Sequence, residues 1–268
     1  MSDALRGAGD QALQLRGRRV IVTRAADQAE DLVGALAARG AEVIACPVLS
    51  VEPLSAAHLV PLLDRLADYA WVVFTSGNGV RGLLTQLAGR SLDAHALGAA
   101  RIACVGSTTA AALATGGLRV DFVPTDFRAE AMLREFLAAH DVNGARLLRV
   151  RGGRASTEVE DALREAGAEV DVLDTYRTVP AEPSPDVRAD ILARGADAVT
   201  FASGSAVDGF ERAVPEHGLH TQALAACIGP VTARAAERAG WERIVAPPES
   251  TADALMDALV GAVARHPR

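Results

Sequence analysis

Aromatic side chains make up only 4% of the 268 residues, and the formal net charge is -7. A basic surface interleaved with stacking platforms is therefore not expected, and nucleic acid is not an expected partner. Any anionic ligand must be held by local donors rather than by a broad positive field. Cysteine is scarce as well: Cys46, Cys104 and Cys227 stand singly in apolar runs without CxxC spacing, which suits reduced core thiols better than disulfides or zinc. Apolar runs long enough to span a bilayer, about eighteen residues, are missing, so a membrane is not expected. The segment Met1 to Leu15 lacks the basic stretch and apolar core of a secretory leader, which points to the cytoplasm. No GxSxG elbow, paired Cys/His signature, GxGxxG fingerprint or Walker loop occurs, so an activated nucleophile and a nucleotide are both poorly supported.

Half of the residues are apolar, and the length exceeds what one compact core usually holds, so two domains are expected. The most informative pattern is an internal repeat. Gly40-Ala41-Glu42-Val43 returns as Gly167-Ala168-Glu169-Val170, and Phe74-Thr75-Ser76-Gly77 as Phe201-Ala202-Ser203-Gly204, in the same register. Val51-Glu52-Pro53 meets Thr178-Val179-Pro180 in that register too. After a four-residue deletion, Cys104-Val105-Gly106 matches Cys227-Ile228-Gly229, with Thr109 on Thr232. Two copies of one unit, about Gly17 to His140 and Gly144 to Ala264, account for nearly the whole chain.

Each copy alternates short β-rich runs with helical patterns. Val20 to Thr23 leads to a helix over Ala29 to Arg39, and Trp71 to Phe74 to one near Gly79 to Leu87. Arg101 to Val105 leads to Thr108 to Ala114, and Val120 to Val123 to Ala129 to Ala139. This rhythm predicts an α/β fold of two similar parallel-sheet domains with flavodoxin-like layers. Val43 to Pro53 and Val170 to Pro180 outlast ordinary strands and carry prolines, so each reads as a strand followed by a crossing. If both crossings run between domains, residues 17–46 plus 183–264 form one domain and 54–172 the other. Residues 47–53 and 173–182 are then hinge strands, and 1–16 an N-terminal extension. Contiguous domains split near His140 are the alternative.

Four strand ends run into small polar residues and then a helix: Thr75-Ser76-Gly77-Asn78, Gly106-Ser107-Thr108-Thr109, Ala202-Ser203-Gly204-Ser205 and Gly229-Pro230-Val231-Thr232. The first turn of a helix exposes unpaired N–H groups and partial positive charge, which favour a carboxylate or phosphate. The competing reading is that these hydroxyls are N-caps and nothing more. A second cluster, Arg149 to Arg154, places Arg149 and Arg151 on one face and Arg154 near a helix start, where a guanidinium can grip a carboxylate in two-pronged fashion. Arg24 is the repeat equivalent of Arg151. A solvated arginine cluster is the alternative there. Tyr176, in the second crossing, either packs or presents a hydroxyl that can donate a proton. His217 and His220 flank Gly218 without a third ligand nearby in sequence, so a metal is not expected.

Together these passages resemble the uroporphyrinogen-III synthase family from about Gly17 to Ala264. The resemblance is carried by Val20-Ile21-Val22-Thr23-Arg24, Val73 to Asn78, Leu148 to Arg154, the Tyr176 segment, Val199 to Ser203, and Cys227-Ile228-Gly229-Pro230-Val231-Thr232-Ala233. Val231 and Ala202 depart from it, standing where some members have hydroxyl residues. The resemblance implies two α/β domains joined by a two-stranded ladder, and conversion of hydroxymethylbilane to uroporphyrinogen III without metal or organic cofactor. For that reaction Tyr176 is the candidate catalytic residue, and Arg24, Thr75, Ser76, Gly77, Asn78, Gly106, Ser107, Thr109, Arg151, Gly152, Arg154, Ser203, Gly204, Ser205, Gly229, Pro230 and Thr232 are the candidate substrate-binding residues. The expected partner is the tetrapyrrole substrate, with transient handover from hydroxymethylbilane synthase, and the chain is expected to act as a monomer. Two other classes fit the patterning: a two-domain anion-binding protein without chemistry, and a regulatory or assembly protein of degenerate α/β modules.

Overall fold

The computed structural model describes residues 14–54, 60–126, 129–153 and 156–265. The chain divides into two compact units. The first holds the described residues up to Ser50 together with those from Val179 onward, and the second runs from Val51 to Thr178.

In unit 1 the strands are β1 (Arg19–Val22), β2 (Glu42–Ala45), β8 (Ala198–Phe201), β9 (Leu224–Cys227) and β10 (Ile244–Val245), in the order β10-β9-β8-β1-β2. Each neighbouring pair in this sheet is parallel. Helices α1 (Ala26–Ala38), α7 (Pro185–Arg194), α8 (Gly204–Ala213), α9 (Pro230–Arg238) and α10 (Ala252–Ala264) complete the unit. β1, β8 and β9 are buried at all four positions, because helices on both faces leave no side of the sheet for polar residues. One face packs Ile21, Phe201 and Cys227 against Phe210 and Trp241. The other packs Val20, Val22 and Leu224 against Leu36 and Leu259. Leu15, placed above in an N-terminal extension, is fully buried in that second cluster and bonds its N–H to Arg39, so the unit begins before Gly17.

Unit 2 holds the sheet β3-β7-β6-β4-β5, built from β3 (Leu49–Pro53), β4 (Trp71–Phe74), β5 (Arg101–Cys104), β6 (Arg146–Gly152) and β7 (Glu169–Pro180). The pairs β5·β4, β4·β6 and β6·β7 are parallel. Its helices are the one-turn α2 (Val60–Leu63), α3 (Gly77–Ala88), α4 (Ser107–Thr115), α5 (Ala129–Ala139) and α6 (Glu158–Glu165). Val72, Phe74, Leu148 and Val150 pack against Val80 and Leu83 on one face, while Trp71, Val73 and Leu147 meet Phe136 and Val159 on the other.

One expectation is corrected. Val120 to Val123 forms no strand: Phe122 makes one bridge to Ala103, and the Asp121 carboxylate takes the Ile102 N–H, a side chain doing what a strand would do. Val43 to Pro53 divides in two at its proline. β2 ends at Ala45 and β3 starts at Leu49, since Pro47 lacks the N–H a ladder needs. β7 by contrast runs unbroken over twelve residues.

Candidate functional site

The carboxyl ends of parallel strands are where helix N-termini gather, so the site is sought there in each unit. In unit 2 the turns after the neighbouring strands β4 and β5 differ. Ser76 caps α3, its Oγ accepting the Gly79 N–H at 3.1 Å. Gly106 caps α4 without any side-chain cap, which leaves first-turn amides to an outside acceptor. Unit 1 repeats the pair after β8 and β9. Ser203 Oγ accepts the Ala206 N–H at 3.2 Å, with Ser205 Oγ 3.0 Å away, whereas Gly229 caps α9 without side-chain help and Pro230 opens the helix. The serines thus serve as caps, whereas the turns at Gly106 and Gly229 carry no side-chain cap. Thr75, Gly77 and Gly204 are half-buried in these turns, Ser107 is exposed, and Asn78 accepts from Arg81. Thr109 and Thr232 are buried at 6% and 4% exposure. A side chain at Gly229 would collide with Ser250, a residue the sequence did not single out, which lies directly against this turn.

Tyr176 meets Ser76 and Gly152 within unit 2. Its hydroxyl lies 3.1 Å from Ser76 Oγ, and a methyl group placed on Gly152 would come within 2.6 Å of its ring. Only a glycine on β6 lets the ring lie across the strand.

Arg149 and Arg151 do share a face, and both turn to Glu160 of α6, whose side chain is 1% exposed. Arg149 is paired with it and also donates to the Ser156 carbonyl at 3.0 Å. Arg151 reaches Glu160 at 2.6 Å and Asp174 of β7 at 2.9 Å. Burial, with the neighbouring Arg151 charge, pushes the Arg149 guanidinium down to about 10, so it remains cationic at neutral pH. Arg154 lies outside the described residues. Glu160 escaped the sequence reading because it is one of three acidic residues in the first turn of α6, and nothing local marks the one that turns inward.

Arg24 follows β1 in unit 1 and is half-buried, lining a small hollow with Ala202 and Ile228. No carboxylate pairs with it among the described residues. At the repeat positions of Glu160 and Asp174, the first copy has Val33 and Pro47.

His217 and His220 gain the third group that their spacing lacked, since Glu211 of α8 lies 3.2 and 3.0 Å from their Nε2 atoms. The Leu219 N–H donates to His217 Nδ1, which leaves the ring proton on Nε2, pointing at Glu211. Trp241 Nε1–H donates to the other oxygen at 2.9 Å. The cluster is therefore knit by hydrogen bonds, with the His217 lone pair turned away from the site a cation would take. Burial pushes the Glu211 carboxyl up, but the donors His217 and Trp241 and the two imidazoles outweigh it and hold it below the usual glutamate range.

The chain matches the family model described as uroporphyrinogen-III synthase HemD over residues 14–257. It is 31% identical over 248 residues to the porphyrin biosynthesis protein HemD of Ruminiclostridium josui, covering 92% of this chain and 49% of that protein. The chain thus spans about half the length of that relative. It is also 31% identical over 201 residues to the uroporphyrinogen-III synthase of Synechococcus elongatus, covering 73% of this chain and 74% of that one. Among solved structures, the uroporphyrinogen-III synthetase of Helicobacter pylori superposes with a TM-score of 0.63 at 15% identity, over 91% of this chain and 99% of that one. A mutant synthase from Thermus thermophilus gives 0.61 at 21%, over 93% and 100%. At such identities the likeness is one of fold.

Proposed function

Since the chain belongs to the uroporphyrinogen-III synthase family, we propose that it closes hydroxymethylbilane into uroporphyrinogen III, inverting ring D and releasing water. The observation that carries this reading is the repeated open glycine turn, Gly106 in one unit and Gly229 in the other, each beside a serine-capped turn on the next strand. The substrate carries eight carboxylates on flexible side chains, and backbone amides at helix N-termini hold such groups without a basic surface. Arg24, whose charge no described carboxylate offsets, adds one cationic contact of the kind that a guanidinium makes with a carboxylate.

The reaction begins when the C–O bond of the hydroxymethyl group breaks and the oxygen leaves as water. The resulting azafulvene is attacked by the substituted carbon of ring D, giving a spiro intermediate. A carbon–carbon bond then breaks, and closure at the other position inverts the ring and releases a proton. The free tetrapyrrole closes without inversion, so the enzyme's main contribution is orientation. Tyr176 is suited to protonate the departing hydroxyl. Ser76 Oγ already accepts the Gly79 amide, so its own proton is available to the phenol oxygen, leaving the Tyr176 O–H to donate outward. The proton released at closure restores the phenol, and no other reactant is consumed.

The reading of the chain as two exchanged copies is part of this proposal. Its support is that β1, β2, β4 and β5 recur as β6, β7, β8 and β9 in the offsets of the repeat, and that each sheet takes strands from both copies. The crossings at Ser50–Val51 and Thr178–Val179 then serve as hinges. Action as a monomer in the cytoplasm, with handover from hydroxymethylbilane synthase, is proposed likewise. Incubation with hydroxymethylbilane, followed by oxidation and isomer separation, tests the function: the type III porphyrin is expected. Type I alone, at the rate of the uncatalysed closure, would overturn it.

A further inference from the structure

The pairing of β6 with β7 contains an irregularity at the place where the candidate proton donor stands. Val150 faces Leu173 and Arg151 faces Asp174, but the next partner of Gly152 is Tyr176, so Thr175 is an extra residue on β7. Side chains along a strand alternate between faces. Leu173 lies with Val150 in the cluster under α3, and in a strand of regular alternation Tyr176 would fall on the opposite face, with Asp174. The bulge puts two consecutive side chains on the α3 face. Thr175 is fully buried against Gly82, where an added methyl would come within 2.6 Å of it, and Tyr176 lies across Gly152 with its hydroxyl on Ser76. Bulges commonly re-aim a side chain next to a site in this way.

An extra residue costs ladder hydrogen bonds and must be held by something. On the face away from α3, Asp174 accepts from Arg151 Nε at 2.9 Å, and Arg151 reaches Glu160 at 2.6 Å. Arg149 is pinned to the same carboxylate and to the Ser156 carbonyl. Two cations and two anions thus fasten the last register pair before the bulge to the interior of α6, where low local polarity makes such contacts strong. Directly after the bulge the ladder resumes, Gly153 N–H donating to the Tyr176 carbonyl at 2.9 Å.

We propose that Asp174, through Arg151 and Glu160, is a positioning residue that locks the register on one side of the β7 bulge and so aims Tyr176 at Ser76 across Gly152. The inference rests on the reading of Tyr176 as proton donor only for its effect on turnover; the aiming itself concerns the protein alone. It also separates the two arginines that the repeat made equivalent: Arg151 holds the scaffold, while Arg24 is left for the ligand.

The chain has two tyrosines, Tyr69 and Tyr176, so protein labelled with 3-fluorotyrosine gives two fluorine resonances, assigned with Tyr69→Phe. Asp174 is partly exposed and Arg151 keeps Glu160 when it is removed, so Asp174→Ala leaves no buried charge unpaired. In that variant the Tyr176 resonance should shift or broaden while Tyr69 stays in place. The kcat should fall about tenfold with KM changed less than about twofold, as expected when a transition-state contact is misplaced, and Asp174→Asn, which can still accept from Arg151 Nε, should restore both. Gly152→Ala should move the same resonance by pushing the ring directly. An Asp174→Ala protein whose Tyr176 resonance coincides with the parent's overturns the inference. A moved resonance with unchanged kcat supports the aiming and instead removes Tyr176 from the acid role.

Discussion

Single side chains divide the chemistry unequally. Tyr176→Phe keeps the ring that lies over Gly152 and deletes only the hydroxyl, so it isolates proton donation from packing. Turnover is expected to fall on the order of tenfold to a hundredfold, with type III still the main product because the geometry that enforces inversion survives. Steady-state kinetics with isomer analysis checks both halves, and unchanged turnover would leave water or a substrate carboxylate as the proton source. Arg24→Gln removes a charge that no described carboxylate balances, so KM should rise about tenfold, the value of one charge-assisted contact, while kcat moves little. A fall confined to kcat would place Arg24 at the reacting atoms instead. Glu211 illustrates a residue that matters to stability alone. Its carboxylate receives His217, His220 and Trp241, and Glu211→Gln should cost roughly 1.5–3 kcal/mol at neutral pH, the range for hydrogen bonds to a charged acceptor. Because its folded value lies below the ordinary 4.5, that contribution is complete above pH 4.5 and is lost as pH falls through the folded value. Denaturant melts of parent and variant should therefore converge in acid. A gap that stays constant down to pH 3 would show that the charge is not what the donors require.

Among elements, the strand-to-helix turns have a stability task and, in the proposed function, a binding one. Ser203 caps α8 through the Ala206 amide, so Ser203→Ala should lower stability by about 1 kcal/mol and weaken turnover only moderately, one donor among several being lost. Thr232→Ala in the first turn of α9 should likewise reduce activity without erasing it. If either substitution abolishes turnover in a folded protein, binding is concentrated in one hydroxyl rather than spread over the turns. Two turns owe their form to glycine for different reasons. At Gly229 the close approach of Ser250 excludes a side chain, whereas Gly40, just past the end of α1, adopts a φ of 84° that L-residues rarely take. The buried strands need no such devices, since continuous apolar runs such as Trp71–Phe74 are stable only where helices cover both faces.

For the molecule as a whole, a substrate held by many backbone donors should stabilise the folded chain by mass action. A product or substrate analogue should raise the melting temperature in a concentration-dependent way, and chelators should leave turnover unchanged. Loss of activity in chelator, restored by zinc or magnesium, would contradict this account. Among the described residues no helix is long and apolar enough to cross a membrane.

Amphipathic and continuous apolar patterns and glycine turns were legible in the sequence because they are local. They foretold parallel α/β sheets, helix starts such as Ala129, and the turns at Ser76, Gly106, Ser203 and Gly229. The order of strands within each sheet was not legible, because an apolar strand carries no label for its partner. The same limit hid the groups that act over distance. Glu160 under two arginines, Glu211 between two histidines and the single extra residue that turns Tyr176 onto Ser76 all depend on register and on which face a helix presents. Those are settled only when helices pack on their own sheet, because burial selects one arrangement of side chains from several that local preference leaves equal.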